Sequence, residues 1–108
     1  MSIEDNLRIV RLIDTYGVLL TSKKLAVISD YYFDNLTLAE IGDNYGISRQ
    51  AVRDSISQSI KSLESYEEKL KIISKEKCVI EKLEKVSMRI TDKVLKQDIE
   101  KIISELRG

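Results

Sequence analysis

The sequence predicts an all-α protein, and three observations support that prediction. The 108 residues include no proline and only four glycines, fewer turn-forming residues than a β-rich chain of this length usually needs. Apolar residues recur every three to four positions along most of the chain, which is the period of an amphipathic helix. Residues that favour helix N-termini stand just before several of these runs. The length fits one domain, or one domain with an attached helical arm.

The composition argues against several classes of function. The chain has no histidine and a single cysteine, Cys78, so we expect neither a histidine-dependent catalytic triad nor a Cys/His zinc site. A lone cysteine cannot form an intrachain disulfide, which favours a cytoplasmic location. No apolar run approaches the ~20 residues that span a bilayer. We therefore expect a cytoplasmic protein that is not an enzyme, uses no cofactor or metal and does not insert into a membrane.

The charge balance bears on nucleic-acid binding. Eighteen Lys and Arg residues balance eighteen Asp and Glu residues, so the net charge is zero at pH 7. A dedicated nucleic-acid binder normally carries a basic excess. Any basic surface of this chain must therefore be local.

The first helix is predicted to begin at Ser2, with Asp5 three residues on as a weak capping box. Gly17 is expected to end it as a C′ residue with positive φ. The inner face is predicted from apolar residues at helical spacing: Ile3, Leu7, Val10, Ile13 and Tyr16.

A second helix is predicted to begin at Thr21 or Ser22 and to run to about Phe33. Asp34-Asn35 after it is typical of a turn. The predicted inner face consists of Leu25, Ile28, Ser29 and Tyr32. Three aromatic residues at the end of this helix could stack on bases, but we expect them to belong to the core: Tyr31, Tyr32 and Phe33.

Two helices in close succession are predicted in the segment Thr37–Leu63. Thr37 and Glu40 form the Ser/Thr-x-x-Glu capping box of a short helix, and Gly46 ends it. Ser48 is the N-cap of a long helix that follows at once. Two capped helices this close cannot be coaxial, so they must pack at a steep angle, as in a helix-turn-helix.

Other residues of this segment also fit a helix-turn-helix. Gly42 supplies the small residue that is needed where the two helices touch, and Gly46 tolerates the positive φ of the turn. The angle between the helices is expected to be fixed by five apolar residues: Leu38, Ile41, Tyr45, Ile47 and Val52.

The start of the long helix is the predicted nucleic-acid contact. In a helix-turn-helix, the N-terminal residues of the second helix enter the major groove. Ser48–Arg53 offers such a first turn, in which Arg49 or Arg53 can bind guanine and Gln50 can bind adenine, each through two hydrogen bonds. The stretch from Ser48 to Leu63 is net positive, because it holds two Arg and one Lys against one Asp.

The remainder of the chain, from about Glu64, has interleaved acidic and basic residues around an apolar stripe. Thr91-Asp92 could cap a separate final helix. The stripe must be buried against the domain or against another chain. It consists of Ile80, Leu83, Val86 or Ser87, Ile90 and Val94, followed by Leu95, Ile99, Ile102 and Leu106. We predict a helix-turn-helix domain in residues 1–70, an amphipathic helical arm in residues 71–108, and a homodimer formed through the arm.

The helix pair Thr37–Gly42 and Ile47–Arg53 resembles the DNA-reading helices of sigma-70 region 4. A longer stretch, about Asn6–Leu70, resembles the YlxM-like family of small bacterial helix-turn-helix proteins. That resemblance also rests on Tyr16–Thr21, Tyr31-Tyr32 and Ser65–Leu70. It implies a fold of the sigma region 4 type. It also implies that Arg49, Gln50, Arg53 and Asp54 contact nucleic acid, and the N-cap residue Ser48 is added to these predicted contact residues.

Two functions are left open by the sequence. The first is a DNA-binding regulatory protein in which a dimer reads two half-sites of duplex DNA. The second is an accessory factor of the signal recognition particle, to whose pathway the resemblance links the chain. In that case the helix-turn-helix is a scaffold that binds the particle's RNA or its GTPase subunits. We expect Cys78 to be an ordinary helical residue in either case.

Overall fold

The computed structural model describes residues 3–108, which form six α-helices and contain no β-strand. The prediction of an all-α fold is confirmed. A short 3-10 turn, Gly17–Leu19, follows the first helix. Ser2, the predicted start of that helix, lies outside the described residues. The helices are α1 (Ile3–Tyr16), α2 (Ser22–Tyr32), α3 (Leu38–Tyr45), α4 (Arg49–Leu70), α5 (Ile72–Arg89) and α6 (Lys93–Arg107).

The chain divides into two units. The first ends at Lys71 and contains α1 to α4, and the second is Ile72–Gly108, which contains α5 and α6. Lys71 adopts a left-handed conformation, with φ 56° and ψ 31°, and its N–H donates to the carbonyl of Glu67. The helical pattern that the sequence carries from α4 towards Ile73 is therefore interrupted at Lys71.

The core of the first unit forms where α1, α2 and α3 pack against α4. Its position on α1 differs from the predicted one, because Ile3 and Leu7 are exposed and Val10 is half-buried. Ile13 and Tyr16 are buried as predicted, and the other two buried residues of α1 are Ile9 and Leu12, which were not predicted on the inner face. The buried apolar residues of this unit are Ile9, Leu12, Ile13, Tyr16, Val27, Ile28, Ile41, Val52, Ile56 and Leu63.

Gly17 follows the last residue of α1, as predicted, but its φ is not positive. A Cβ at this position would lie 2.9 Å from Cδ1 of Leu25 and 3.4 Å from Cγ2 of Ile13. The absence of a side chain therefore serves close packing between the 3-10 turn and α2, and the predicted role as a positive-φ cap is wrong.

α2 begins at Ser22 with Thr21 as its N-cap, one of the two starts that the sequence left open. The Lys24 N–H donates to Oγ1 of Thr21 at 3.3 Å. Of the three aromatic residues near its end, Tyr31 and Tyr32 are half-buried and pack edge to face with ring centroids 5.0 Å apart. Phe33 is exposed, so the expectation that it belongs to the core is wrong.

The second unit is a helical hairpin, the α5–α6 hairpin. Asp92 caps α6, because its Oδ1 accepts hydrogen bonds from the N–H groups of Val94 and Leu95. The two helices pack on each other, with Ile80, Ser87 and Ile103 as the buried residues. Glu84 and Arg107 form an ion pair between them. The arm thus folds onto itself, whereas the sequence predicted that its apolar stripe is buried against the domain or against another chain.

None of the helices within residues 3–108 combines the length and the apolar character that crossing a membrane requires.

Candidate nucleic-acid interface

The first helix of the predicted helix-turn-helix begins with a complete capping box. The Glu40 N–H donates to Oγ1 of Thr37 at 3.1 Å, and the Thr37 N–H donates to Oε1 of Glu40 at 3.2 Å. Both halves of the box predicted from the sequence are therefore present. They fix the start of α3 next to the turn that follows α2.

The turn between α3 and α4 depends on two glycines. Gly46 has φ 67° and ψ 35°, the left-handed conformation predicted for it. The N–H groups of Gly46 and Ile47 both donate to the carbonyl of Gly42. A Cβ on Gly42 would lie 2.6 Å from the carbonyl oxygen of Ile47, a backbone atom with little freedom to move. The small residue predicted at the helix contact is thus required by the path of the turn.

A side-chain hydrogen bond links α3 to α2. The Tyr45 hydroxyl donates to Oδ2 of Asp30 at 3.0 Å. That hydrogen bond, together with burial and the charge of Asp30, raises the pKa of the Tyr45 hydroxyl above its ordinary value of 10.0. At neutral pH the phenol is protonated and can donate, so the bond helps to hold the end of α3 in place.

The second helix, α4, starts at an exposed cap and continues into the core. The Ala51 N–H donates to Oγ of Ser48 at 3.0 Å, which confirms Ser48 as the N-cap. The inner face of α4 consists of Val52, Ile56, Ser59 and Leu63. Ser59 was not predicted there. Its hydroxyl is fully buried and has no hydrogen-bond partner among the described residues.

The residues predicted to contact nucleic acid form one exposed patch at the start of α4, which we call the recognition surface: Ser48, Arg49, Gln50, Arg53 and Asp54. Within it, Nε2 of Gln50 donates to Oδ1 of Asp54 at 2.9 Å. The amide of Gln50 is therefore held in one orientation. The Ser48 hydroxyl already accepts the hydrogen bond of the cap.

The recognition surface borders a hollow of about 370 Å³ between the starts of α3 and α4. Arg49, Gln50 and Arg53 line one side of it. The other side is lined by three residues of α3 and its cap that were not predicted as site residues: Thr37, Leu38 and Ala39. The signal for them was the steep angle between two closely spaced helices, since such a turn brings the two helix starts together.

The electrostatics of this patch are more positive than the chain as a whole. The first turn of α4 contains no acidic residue, and the helix N-terminus itself carries a partial positive charge. Arg49 and Arg53 add two full charges beside the hollow. Asp54, which accepts the hydrogen bond from Gln50, opposes them with a single negative charge, so the patch stays net positive. The arrangement can therefore receive an anionic group such as a phosphate.

Comparison with protein-family models gives one match, over residues 3–106. The family is UPF0122, described as "putative helix-turn-helix protein, YlxM / p13 like". The match covers nearly the whole chain, including both units.

Curated bacterial proteins are similar over stretches of 62 to 106 residues. A UPF0122 protein of Bacillus pumilus is 40% identical over 106 residues, which is 98% of this chain and 96% of that protein. YlxM of Bacillus subtilis is 47% identical over 75 residues, 69% of this chain and 68% of that protein. A UPF0122 protein of Malacoplasma penetrans is 53% identical over 62 residues, 57% of this chain and 58% of that protein.

Proposed function

Since this chain belongs to the UPF0122 family of YlxM- and p13-like helix-turn-helix proteins, we propose that it binds duplex DNA through α4 and acts as a regulatory protein. The proposal rests above all on one observation. Arg49, Gln50 and Arg53 are exposed together on the first turns of α4 and border the hollow beside the start of α3. This is the part of a helix-turn-helix that enters the major groove.

Each side chain has a role in the proposed complex. Arg49 and Arg53 bind guanine edges or phosphates, and Gln50 binds an adenine edge. Asp54 holds the amide of Gln50 before DNA arrives, which lowers the entropy lost when the complex forms. The hollow takes the phosphate backbone that flanks the groove, close to the N–H groups at the start of α3.

We also propose that the helix pair is of the sigma region 4 type. The support is the order of its parts: a capping box at Thr37, a small residue at Gly42, a left-handed Gly46 and an N-cap at Ser48. This order fixes the angle between α3 and α4 and leaves Arg49, Gln50 and Arg53 exposed, while Val52 between them is buried in the core.

A second candidate function is an accessory role in the signal recognition particle pathway, with the helix-turn-helix as a scaffold for the particle's RNA or its GTPase subunits. One observation favours it. The net charge is zero, and two acidic residues of α3, Glu40 and Asp43, are exposed. This favours the GTPase subunits as partners, because binding the phosphates of DNA or RNA normally depends on a stronger basic excess.

The experiment that separates these functions is fluorescence anisotropy with labelled duplex DNA and with signal recognition particle RNA, each at several salt concentrations. If α4 reads DNA, we expect duplex binding that weakens steeply with salt. The double variant Arg49→Ala/Arg53→Ala should bind about 100-fold more weakly, since a contact by each Arg contributes about 1–3 kcal/mol.

The matched control is Lys61→Ala/Lys69→Ala, which removes two exposed charges from later turns of the same helix. It should keep most of the affinity for DNA. Equal losses in both double variants would contradict specific contact by the recognition surface. Tight RNA binding without duplex binding would favour the accessory role.

A further inference from the structure

The α5–α6 hairpin leaves seven large apolar side chains exposed on its surface, and four of them form two evenly spaced pairs, one on each helix. On α5, Val79 and Val86 are each 45% exposed, and on α6, Leu95 and Ile102 are 55% and 46% exposed. In each helix the two residues are seven positions apart, close to two full turns, so they lie on one side of the helix. We call these four residues the apolar seam.

Both halves of the apolar seam lie on the same side of the hairpin. The helices contact each other through Ile80 and Ser87 of α5 and Ile103 of α6, which are buried. In each helix a seam residue directly precedes a residue that is buried between the two helices. The seam residues are therefore rotated by about 100° around the helix axis from the buried ones, and in the same direction in both helices. Three residues connect the helices, which makes them antiparallel neighbours. In an antiparallel pair, equal rotation in the same sense leads to the same side.

Charged residues of opposite sign border the seam on its two outer edges. Four of these charged residues each stand three positions after a seam residue, and the fifth, Lys75, stands seven positions before Lys82. Residues at these spacings are neighbours on the surface of a helix. The edge of α5 carries a basic row, Lys75, Lys82 and Arg89, and the edge of α6 carries an acidic row, Asp98 and Glu105. All five are exposed, and none has an ion-pair partner within residues 3–108.

We propose that the apolar seam is the surface on which a second copy of this chain docks, forming a four-helix bundle in which α5 of each copy lies beside α6 of the other. The apolar residues of both seams then fill the centre of the bundle. The rows lie where the flanking charged positions of coiled coils form salt bridges between helices and select the partner.

The charge pattern selects both the partner and the arrangement. Two copies related by a two-fold axis parallel to the helices place the basic row of each against the acidic row of the other, twice. A two-fold axis across the helices would set the basic rows against each other, and like charges in contact are unfavourable. The hairpin is thus complementary to itself in one arrangement only. A second copy of the chain therefore matches both the apolar and the charged residues of this surface.

This inference goes beyond DNA binding and does not depend on it. It concerns residues 72–108 alone, and it is tested on DNA-free protein by sedimentation. A chain that forms the bundle and does not bind DNA would support this inference and contradict the proposed function. A chain that binds DNA and stays monomeric would support the proposed function and contradict this inference.

The test uses two charge-reversed full-length chains. The first carries Lys75→Glu, Lys82→Glu and Arg89→Glu, and the second carries Asp98→Lys and Glu105→Lys. In a dimer of either variant alone, rows of like charge face each other. The dissociation constant of that dimer should therefore be at least about 100-fold higher than that of the unmodified chain, as expected for a cost of several kcal/mol. An equimolar mixture restores opposite charges on both edges and should contain the heterodimer.

A matched control reverses three exposed charges away from the seam, with Lys77→Glu, Lys93→Glu and Lys96→Glu. It changes the net charge as much as the first variant and should remain a dimer. An unmodified chain that sediments as a monomer across the micromolar range would overturn the proposal. So would dimers of the single variants, a control that dissociates, or a mixture that stays monomeric, provided circular dichroism shows unchanged helix content.

Discussion

The hydroxyl of Tyr16 donates a 2.6 Å hydrogen bond to Oε1 of Glu67, linking the end of α1 to the last turns of α4. The tyrosine is buried, and its ring lies 6.2 Å from that of Tyr66. A buried phenol that donates to a carboxylate makes a charge-assisted bond, stronger than one between neutral groups. The edge of the core of the first unit is therefore stabilised by a hydrogen bond between the ends of α1 and α4.

Removing that hydroxyl should destabilise the first unit. We expect Tyr16→Phe to lower the free energy of unfolding by about 1.5 kcal/mol, the lower end of the range for a hydrogen bond to a charged group, because Glu67 is half-buried and can regain some water. Urea denaturation followed by circular dichroism measures the change. Tyr66→Phe, which keeps the neighbouring ring and the Tyr16 bond, is the control. Equal losses in the two variants would mean that the bond contributes nothing specific.

The buried hydroxyl of Ser59 should be a source of instability. It is fully buried on the inner face of α4 and has no hydrogen-bond partner among the described residues. An unsatisfied buried polar group costs about 1–3 kcal/mol. We therefore expect Ser59→Ala to raise the free energy of unfolding by about 1 kcal/mol. Ser57→Ala, at an exposed position of the same helix, measures the gain in helix propensity alone. If Ser59→Ala gains no more than this control, the hydroxyl must be satisfied in solution, for example by water.

Gly42 should not tolerate even a methyl group. Alanine in a helix is about 1 kcal/mol more favourable than glycine. At this position, however, its Cβ would lie 2.6 Å from the carbonyl oxygen of Ile47, and overpacking of this kind costs about 1–3 kcal/mol. We expect a net loss of about 1 kcal/mol in Gly42→Ala, together with weaker DNA binding because the angle of α4 shifts. In the control Gly17→Ala, the new methyl group meets the flexible end of Leu25 and should be accommodated more easily. A stabilised Gly42→Ala protein that keeps its DNA affinity would contradict this account of the turn.

The Tyr45–Asp30 hydrogen bond should make stability depend on alkaline pH. Because the pKa of Tyr45 is raised in the folded protein, by this hydrogen bond first, the stabilisation is fully present below the ordinary tyrosine value of about 10. It is lost as the pH rises through the folded-state pKa. Comparing unfolding of the unmodified chain with that of Tyr45→Phe between neutral and alkaline pH isolates this residue.

The difference in stability between these two chains should shrink as the pH rises. The pKa of Tyr32 is also raised, by burial first and then by Tyr31, against an opposing effect of Arg8. That contribution is the same in both chains and cancels in the comparison. A difference that stays constant with pH would show that Tyr45 and Asp30 are not coupled in solution.

Local signals in the sequence predicted much of the helix-turn-helix. Thr37, Gly46 and Ser48 occupy the caps and the turn expected of them, since these roles depend on a residue and its nearest neighbours. Packing was harder to predict. Several apolar residues of α1 line two adjoining faces, and only contact with the other helices decides that Ile9 is buried while Leu7 is exposed.

Two further features depend on contacts between segments distant in sequence. A serine at a helical inner position gives no sign that it is fully buried, so Ser59 was not predicted. The packing of α6 on α5 was not predicted either, because the same apolar stripe fits burial against any apolar partner. The contact residues at the start of α4 stay a prediction until binding is measured.

Cys78 is exposed on α5 and is the only thiol of the chain. A maleimide dye or a nitroxide therefore attaches at one known atom in every molecule, without prior mutagenesis of other cysteines. The distance between the labels on two copies of the chain, or energy transfer between copies that carry different dyes, can therefore be measured on the unmodified sequence. The residue with the least evident role in the fold is thus the most useful one for observing the molecule in solution.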